Sequence, residues 1–167
     1  MRPLADLLAA GGGGPGGALI RKILGEGRVA GKGIRRLILE PQSEVEALRK
    51  YLRKEGREGE VSSFSITDEK MVEESGHFYP VIAVEVGRKE VPDREEDSRL
   101  LAAADAFGPV LLRKKDPVLK KFLMRGEQQV LSLLLELQRR KVQEQRVQEL
   151  TEELARIRLA LSIVRES

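Results

Sequence analysis

Cysteine and tryptophan are absent from this chain of 167 residues, and aromatic residues make up only 4% of it. Without cysteine, the chain can form no disulfide framework, no cysteine-ligated zinc site and no thiolate nucleophile. The single histidine, His77, also excludes a metal site built from several histidines, so we expect no bound metal. Because aromatic residues are few, the core must consist mainly of leucine, valine and isoleucine.

Long apolar runs are missing as well. No stretch reaches the roughly 18 residues that a membrane-spanning helix needs. The N-terminal segment also lacks the apolar region of a secretion signal. These absences predict a cytoplasmic protein without a membrane partner.

Charge of one sign is not in large excess either. The chain has 30 Lys and Arg against 27 Asp and Glu, a net charge of +3. A basic surface for an acidic partner must therefore be local. The length predicts one domain, or one small domain with an appendage.

Glycine, by contrast, is concentrated near the N-terminus. Residues 10–19 read AGGGGPGGAL, between an apolar run at 4–10 and a helical pattern at 18–24. A strand, a glycine-rich turn and a helix in this order present backbone N–H groups to a phosphate or cofactor. A flexible, low-complexity tail is the alternative interpretation.

The glycine run also fits the dinucleotide-binding fingerprint. Gly11, Gly13 and Gly16 have the required spacing, and Glu40 ends the next apolar run. The match is weak because six glycines in seven positions fit almost any glycine motif.

The next part of the chain predicts alternating strands and helices. Strands are expected over Ile34–Leu39, Val61–Val72 and Phe78–Val86, the last two joined through a turn at 73–76. A helix is expected over Ser43–Lys54. This order predicts the second half of a doubly wound sheet with a reversed edge strand.

The predicted helix has both a cap and an apolar stripe. Ser43 is the expected N-cap, because Glu46 three residues later completes a capping box. Val45, Leu48 and Leu52 are spaced along one face.

The C-terminal part predicts long helices. After a charged linker at 87–99, Asp116 is expected to cap a helix that begins at Pro117. Two sets of apolar residues recur at intervals of three and four positions. The polar segment 138–146 separates the two sets. We interpret them as two helices in an antiparallel hairpin, with one interrupted coiled-coil helix as the alternative. The sets are residues 130, 134 and 137, and residues 147, 150, 154, 157, 161 and 164.

Five stretches together resemble a known family. They are residues 6–14, 16–24, 36–42, 74–85 and 107–118, the last reading FGPVLLRKKDPV. In this order they are similar to the bacterial tRNA (adenine-N1)-methyltransferases that modify adenine 22 of tRNA.

The resemblance implies a fold and a division of the chain into three segments. It implies an α/β protein with a partial Rossmann-like class I methyltransferase sheet, strands 4–7, followed by a C-terminal α-helical coiled-coil hairpin. Residues 1–90 would form the second half of the methyltransferase domain. Residues 91–116 would form a linker with the basic Phe-Gly-Pro segment, and residues 117–167 the hairpin.

The implied activity is methyl transfer from S-adenosylmethionine to N1 of adenine 22 of tRNA. The family's cofactor-binding motifs precede the stretches that match, so the cofactor-binding residues stay unknown. We therefore expect a truncated or split form of the enzyme. Three explanations stay open: the coding start is wrong, the gene is truncated, or another polypeptide supplies the remaining half. The alternative is a non-catalytic RNA-binding module with a basic segment and a coiled coil.

The resemblance also implies where the reaction takes place. The glycine run corresponds to the family's loop after strand 4, where cofactor and target base meet. It is longer here, and glycine replaces the usual methionine. The residues expected there as catalytic are Asp6, Gly11, Gly12 and Gly13.

Four residues are expected to contact the substrate base. Pro41 and Gln42 follow strand 5, where Glu40 and Gln42 depart from the family's Leu-Gln-Pro-Asn. Phe78 and Tyr79 are aromatic side chains that could stack a flipped base, with packing in the core as the alternative.

A cluster of cations lies within thirteen residues. Cations along one face bind phosphates, so we expect this cluster to bind the tRNA backbone. A solvated charged face is the alternative, and residues 139–141 are a second candidate. The cluster consists of Arg113, Lys114, Lys115, Lys120, Lys121 and Arg125.

Overall fold

A computed structural model describes residues 34–58, 64–87, 97–140 and 144–165. The strand predicted at 4–10, the glycine run and the helix predicted at 18–24 lie outside these residues. The described elements are three strands, β1 (Arg36–Leu39), β2 (Phe64–Glu74) and β3 (His77–Val86), and five helices, α1 (Val45–Glu58), α2 (Ser98–Phe107), α3 (Pro109–Lys114), α4 (Pro117–Arg140) and α5 (Glu144–Arg165).

The three strands form one sheet in the order β1-β3-β2. β3 is antiparallel to both neighbours. The sequence predicted the reversed strand at the sheet edge, but β3 lies between the other two. This order results from the pairing of β1 with β3, two strands far apart in sequence, which local alternation does not encode.

A two-residue turn joins β2 to β3. Ser75 and Gly76 both have positive φ, 51° and 78°. Two consecutive positive values are typical of a type I′ turn, whose twist matches that of the flanking strands. The predicted hairpin is therefore confirmed.

Helix α1 packs on the sheet through the predicted stripe. Leu48 and Leu52 are completely buried, and Val45 is half-buried. The predicted cap is wrong by one residue, because the amide of Leu48 donates to the carbonyl of Glu44 at 3.1 Å. Glu44, with φ 53°, is thus the N-cap residue directly before α1.

A bulge interrupts β2. The pair Ile66–Val84 is followed by Asp68–Ala83, so Thr67 is the extra residue. The bulge moves the inward face from even to odd positions, and Glu69 points into the protein. The regular alternation predicted up to Val72 does not hold for this reason.

Helices α2 and α3 occupy much of the segment that was predicted as a linker. The side chain of Asp97 caps α2 by accepting a hydrogen bond from the amide of Arg99 at 2.9 Å. Ala103 and Leu111 are completely buried. The segment therefore contributes to the core, contrary to the prediction.

Helices α4 and α5 pack against each other in opposite directions. The predicted cap of α4 is confirmed: Asp116 Oδ1 accepts hydrogen bonds at 2.9 Å from the amides of Val118 and Leu119. Along the pair, Arg158 Nε lies 3.3 Å from Glu127 Oε2. The expected apolar positions of α5 face α4 and the remaining helices; Leu150, Leu154, Ile157, Leu161 and Val164 are all buried.

Two apolar clusters cover the same face of the sheet. The first lies under α1 and contains Ile34, Leu37, Leu39, Leu48, Leu52, Phe64, Ile82 and Val84. The second joins β2 to the other four helices and contains Met71, Ala103, Leu111, Leu112, Leu119, Leu123, Val130, Leu150, Leu154, Ile157, Ala160, Leu161 and Val164. The C-terminal helices thus share a core with residues 97–114 rather than forming a separate unit.

Candidate functional site

The carboxyl ends of β1 and β2 lie at the same edge of the sheet, because both strands are antiparallel to β3. In open α/β sheets, ligands bind outside the carboxyl ends of the strands. Pro41 and Gln42, two residues predicted to contact the base, follow β1 at this edge. Pro41 is buried and Gln42 is exposed.

Part of the hairpin extends beyond β1 at this edge. Leu39, the last residue of β1, pairs with Ile82, whereas β3 begins five residues earlier at His77. Five residues of strand span about 16 Å. We call residues 70–81 the hairpin arm. The arm carries Phe78 and Tyr79, the other two residues predicted to contact the base.

Phe78 and Tyr79 point to opposite faces of the arm, as neighbours on a strand do. The Phe78 ring lies 5.3 Å from the Phe122 ring of α4, edge to face. The Tyr79 ring lies 6.3 Å from that of His77. The two predicted residues therefore cannot stack on the same face of one base.

The predicted cationic cluster lies along α3 and the start of α4. The ammonium of Lys114 is 2.8 Å from Asp68 Oδ1 and also donates to the carbonyl of Glu69 at 3.2 Å. The hydrogen bond from Lys114 holds the pKa of Asp68 below its usual value. Because both side chains are exposed, the pair contributes little to stability.

Two further cations of the cluster bind the hairpin arm. Lys121 Nζ lies 2.8 Å from both carboxylate oxygens of Glu73. Arg125 Nη1 donates to the carbonyl of Gly76 at 3.0 Å. The cluster therefore attaches the C-terminal helices to the arm. Its other members, Arg113, Lys115 and Lys120, are exposed.

A buried ion pair joins α1 to β2. Arg49 Nε donates to Glu69 Oε2 at 2.9 Å, and both side chains are at most 2% exposed. Glu69 Oε1 also accepts from the amide of Val110 at 2.9 Å, and Arg49 Nη1 donates to the carbonyl of Ala106 at 3.1 Å. The pair thereby holds the corner between α2 and α3 against the sheet.

A second pair reinforces this joint. Arg53 binds Asp105 through two hydrogen bonds of 3.1 and 2.8 Å, the bidentate geometry that arginine forms with carboxylates. Asp105 is buried on α2, and Arg53 is on α1. We call Arg49, Arg53, Glu69 and Asp105 the ionic joint.

Burial is the largest influence on both members of the first pair. It lowers the pKa of Arg49, against the attraction of Glu69. It raises the pKa of Glu69, against the attraction of Arg49 and the hydrogen bond from Val110. The partners thus offset part of the cost of burying the two charges.

The sequence interpretation missed the ionic joint. Arg49 follows Leu48 on the apolar side of α1, and Asp105 interrupts the apolar run 100–107. A charge within an apolar pattern was the available signal. Glu69 gave no such signal, because only the bulge turns it inward.

The residues predicted to be catalytic lie outside the described residues. They are Asp6, Gly11, Gly12 and Gly13. Among residues 34–58, 64–87, 97–140 and 144–165, no three His, Cys, Asp or Glu side chains are placed to hold a metal ion. In the same part of the chain, no helix is long and apolar enough to cross a membrane.

Known proteins match this chain over most of its length. Residues 9–159 match the family model TrmK, described as tRNA (adenine(22)-N(1))-methyltransferase. The chain belongs to this family. The Bacillus subtilis tRNA (adenine(22)-N(1))-methyltransferase is 31% identical over 151 residues, which are 90% of this chain and 59% of that protein. The chain thus spans about three fifths of the curated TrmK relative that it matches.

Solved structures agree with the TrmK assignment. Streptococcus pneumoniae Sp1610, crystallised in complex with S-adenosyl-L-methionine, has a TM-score of 0.63 and 28% identity, over 89% of this chain and 57% of that one. A Streptococcus agalactiae protein of the NADB-Rossmann superfamily has a TM-score of 0.66 and 23% identity, over 89% and 57%. The second likeness shows the fold alone, an α/β architecture.

Proposed function

We propose that this chain acts in the transfer of a methyl group from S-adenosylmethionine to N1 of adenine 22 of tRNA. The match of residues 9–159 to the TrmK family carries the proposal. In this reaction N1 of adenine, which carries a lone pair and no proton, would take the methyl group together with its positive charge. The site must therefore orient both reactants.

We place the target base at the edge formed by the carboxyl ends of β1 and β2. Pro41 and Gln42 would line it, with Gln42 offering an amide that donates and accepts hydrogen bonds. Asp6, Gly11, Gly12 and Gly13 are proposed to border the same point from the preceding loop. In this assignment β1, β2 and β3 are strands 5, 6 and 7 of the methyltransferase sheet.

The cofactor would approach the same edge. Among the residues that the structure describes there, Glu40, Pro41 and Gln42 follow β1, and Pro41 has no N–H to donate. These groups are too few to hold the purine, ribose and amino-acid parts of S-adenosylmethionine. We therefore assign no step of the reaction to the cofactor.

The cationic cluster is proposed to bind the tRNA backbone. It lies on α3 and α4 beside the hairpin arm, so a backbone held there would pass the edge that contains Pro41 and Gln42. Its exposed members offer charges to phosphates, and the exposed pairs of Lys114 and Lys121 are weak enough to exchange partners. The long pair of α4 and α5, proposed as a coiled coil, would extend this surface.

Mass spectrometry of nucleosides tests the proposal. The chain would be incubated with S-adenosylmethionine and a tRNA transcript that has adenine at position 22, or guanine there as the matched control. We expect 1-methyladenosine only in the first transcript. No product despite tRNA binding would instead favour the non-catalytic RNA-binding module. If a second polypeptide supplies the cofactor-binding motifs, product should form only after that polypeptide is added.

A further inference from the structure

A cavity of about 360 Å³ lies between the tip of the hairpin arm and the α4–α5 pair. Phe78, Phe107 and Phe122 line it, three of the four phenylalanines in the chain. All three are half-buried, so they keep surface that the core does not cover. The volume is within the range of small-molecule sites.

The cavity has an apolar floor and a polar rim. Leu123, Val130 and Ile157 form the floor and are buried. The rim is formed by side chains that the solvent reaches. They are His77 of the arm, Arg125 and Gln129 of α4, and Glu153 of α5.

Two of the aromatic rings and a cation are already arranged around each other. Phe78 and Phe122 meet edge to face with ring centroids 5.3 Å apart. The guanidinium of Arg125 lies 5.9 Å from the centroid of the Phe78 ring. Aromatic faces beside an arginine are the combination on which proteins stack unpaired bases.

We propose that this cavity binds an unpaired nucleobase of the RNA substrate, at a second point besides the target base. The base would lie against the phenylalanine rings, and Gln129 and Glu153 would bind its polar edge. Arg125 would contact the adjoining phosphate. A purely apolar ligand would leave these rim groups without a function.

The position of the cavity supports a nucleotide as the occupant. The arm tip lies about 16 Å beyond β1 along the strand direction, at the edge proposed for the target base. Lys121, of the cationic cluster, binds Glu73 on the same arm. RNA that follows the cluster towards the edge therefore passes the cavity. The inference rests on the proposed function, because that function makes RNA the partner.

Binding of a labelled tRNA transcript by the full chain tests the proposal. We expect Phe122→Leu to weaken binding about tenfold, because the variant has no aromatic ring there for a base to stack on. Gln129→Ala should weaken it about threefold. The slope of affinity against salt should stay unchanged in both, since neither residue is assigned to a phosphate. Gln128→Ala, the exposed neighbour, is the matched control and should bind as the unaltered chain does.

A fluorescent base tests stacking directly. A single-stranded RNA of eight nucleotides with 2-aminopurine at its centre should be quenched on binding to the unaltered chain and to Gln128→Ala. Quenching should be strongly reduced in Phe122→Leu, which keeps only Phe78 and Phe107, and less reduced in Gln129→Ala. Equal quenching in all four proteins, or equal tRNA affinities, would overturn the proposal.

The two proposals fail separately. Formation of 1-methyladenosine together with unchanged binding by Phe122→Leu and Gln129→Ala would refute the cavity alone. Quenching that depends on Phe122 and Gln129, without 1-methyladenosine, would refute the methyl transfer and leave the cavity as an RNA-binding site. Melting curves of each variant identify a loss that results from unfolding. Unfolding is the main risk for Phe122→Leu, because Phe122 is half-buried. Gln129 is exposed, so its substitution avoids this risk.

Discussion

At the scale of single residues, Gly108 shows how closely the backbone approaches the ionic joint. Its φ is 101°, a conformation that side chains rarely adopt. A Cβ at this position would lie 2.8 Å from both carboxylate oxygens of Glu69 and 3.0 Å from Arg49 Nη2. Neither side chain can move easily, because both are buried and hydrogen-bonded. Glycine is therefore required between Phe107 and Pro109.

We expect Gly108→Ala to lower the free energy of unfolding by about 3 kcal/mol, from the clash and the positive φ together. Gly76→Ala is the matched control, because Gly76 also has positive φ, 78°, but no atom lies within 4 Å of the added Cβ. Gly76→Ala should lower the free energy of unfolding by only about 1 kcal/mol. Urea denaturation measures both, and equal losses would contradict the role assigned to the ionic joint.

The buried carboxylate of Glu69 predicts a dependence on pH. Burial raises its pKa in the folded chain above the unfolded value of about 4.3. Between these two pKa values the folded state binds a proton that the unfolded state lacks. The contribution of Glu69 to the free energy of unfolding therefore increases as the pH falls through that window. This contribution is lost as the pH rises through the folded pKa.

The comparison with Glu69→Gln isolates this effect. The free energy of unfolding of the unaltered chain, minus that of the variant, should increase as the pH is lowered from neutral towards the unfolded pKa of about 4.3. Urea denaturation of both proteins at several pH values measures the difference. A decrease over the same range would mean that Arg49 depresses the pKa of Glu69 more than burial raises it.

At the scale of elements, α4 contains one helix-destabilising residue. Gly126 lies in its middle, facing α5, and an added Cβ would be 3.5 Å from Ile157 Cδ1, an ordinary contact distance. We expect Gly126→Ala to raise the free energy of unfolding by about 1 kcal/mol, the usual difference between the two residues in a helix. A loss of stability in thermal or urea denaturation would show that α4 and α5 pack too closely there for a methyl group.

The helices differed in how well their sequence predicted them. For α4, Asp116 and Pro117 mark the start and a long apolar periodicity follows, so local signals sufficed. The segment of α2 and α3 was assigned to a linker from the charged stretch at 87–99 and from the resemblance. Its place in the core depends on the ionic joint, in which the partners of Asp105 on α1 and of Gly108 on β2 are 36 or more positions away in sequence.

At the scale of the whole molecule, the cations of α4 are those that we propose to bind RNA phosphates. We expect Lys120→Gln combined with Lys121→Gln to weaken tRNA binding and to reduce the slope of affinity against salt by about one for each phosphate that is no longer neutralised. Lys50→Gln combined with Lys54→Gln is the control, because it removes the same charge from exposed positions on α1. Equal effects of the two double variants in a salt titration would contradict a localised site.

Local sequence signals were sufficient to predict the strands around the glycine turn, the apolar stripes of α1 and α5, the cap of α4 and the family. Each depends on residues close together in the chain, or on motifs in a fixed order. The position of β3 between β1 and β2 became evident only from the three-dimensional structure. The same holds for the inward direction of Glu69 towards Arg49, the opposite directions of Phe78 and Tyr79, and the three phenylalanines around one cavity. These features depend on a one-residue bulge and on contacts between distant segments, which local periodicity does not encode.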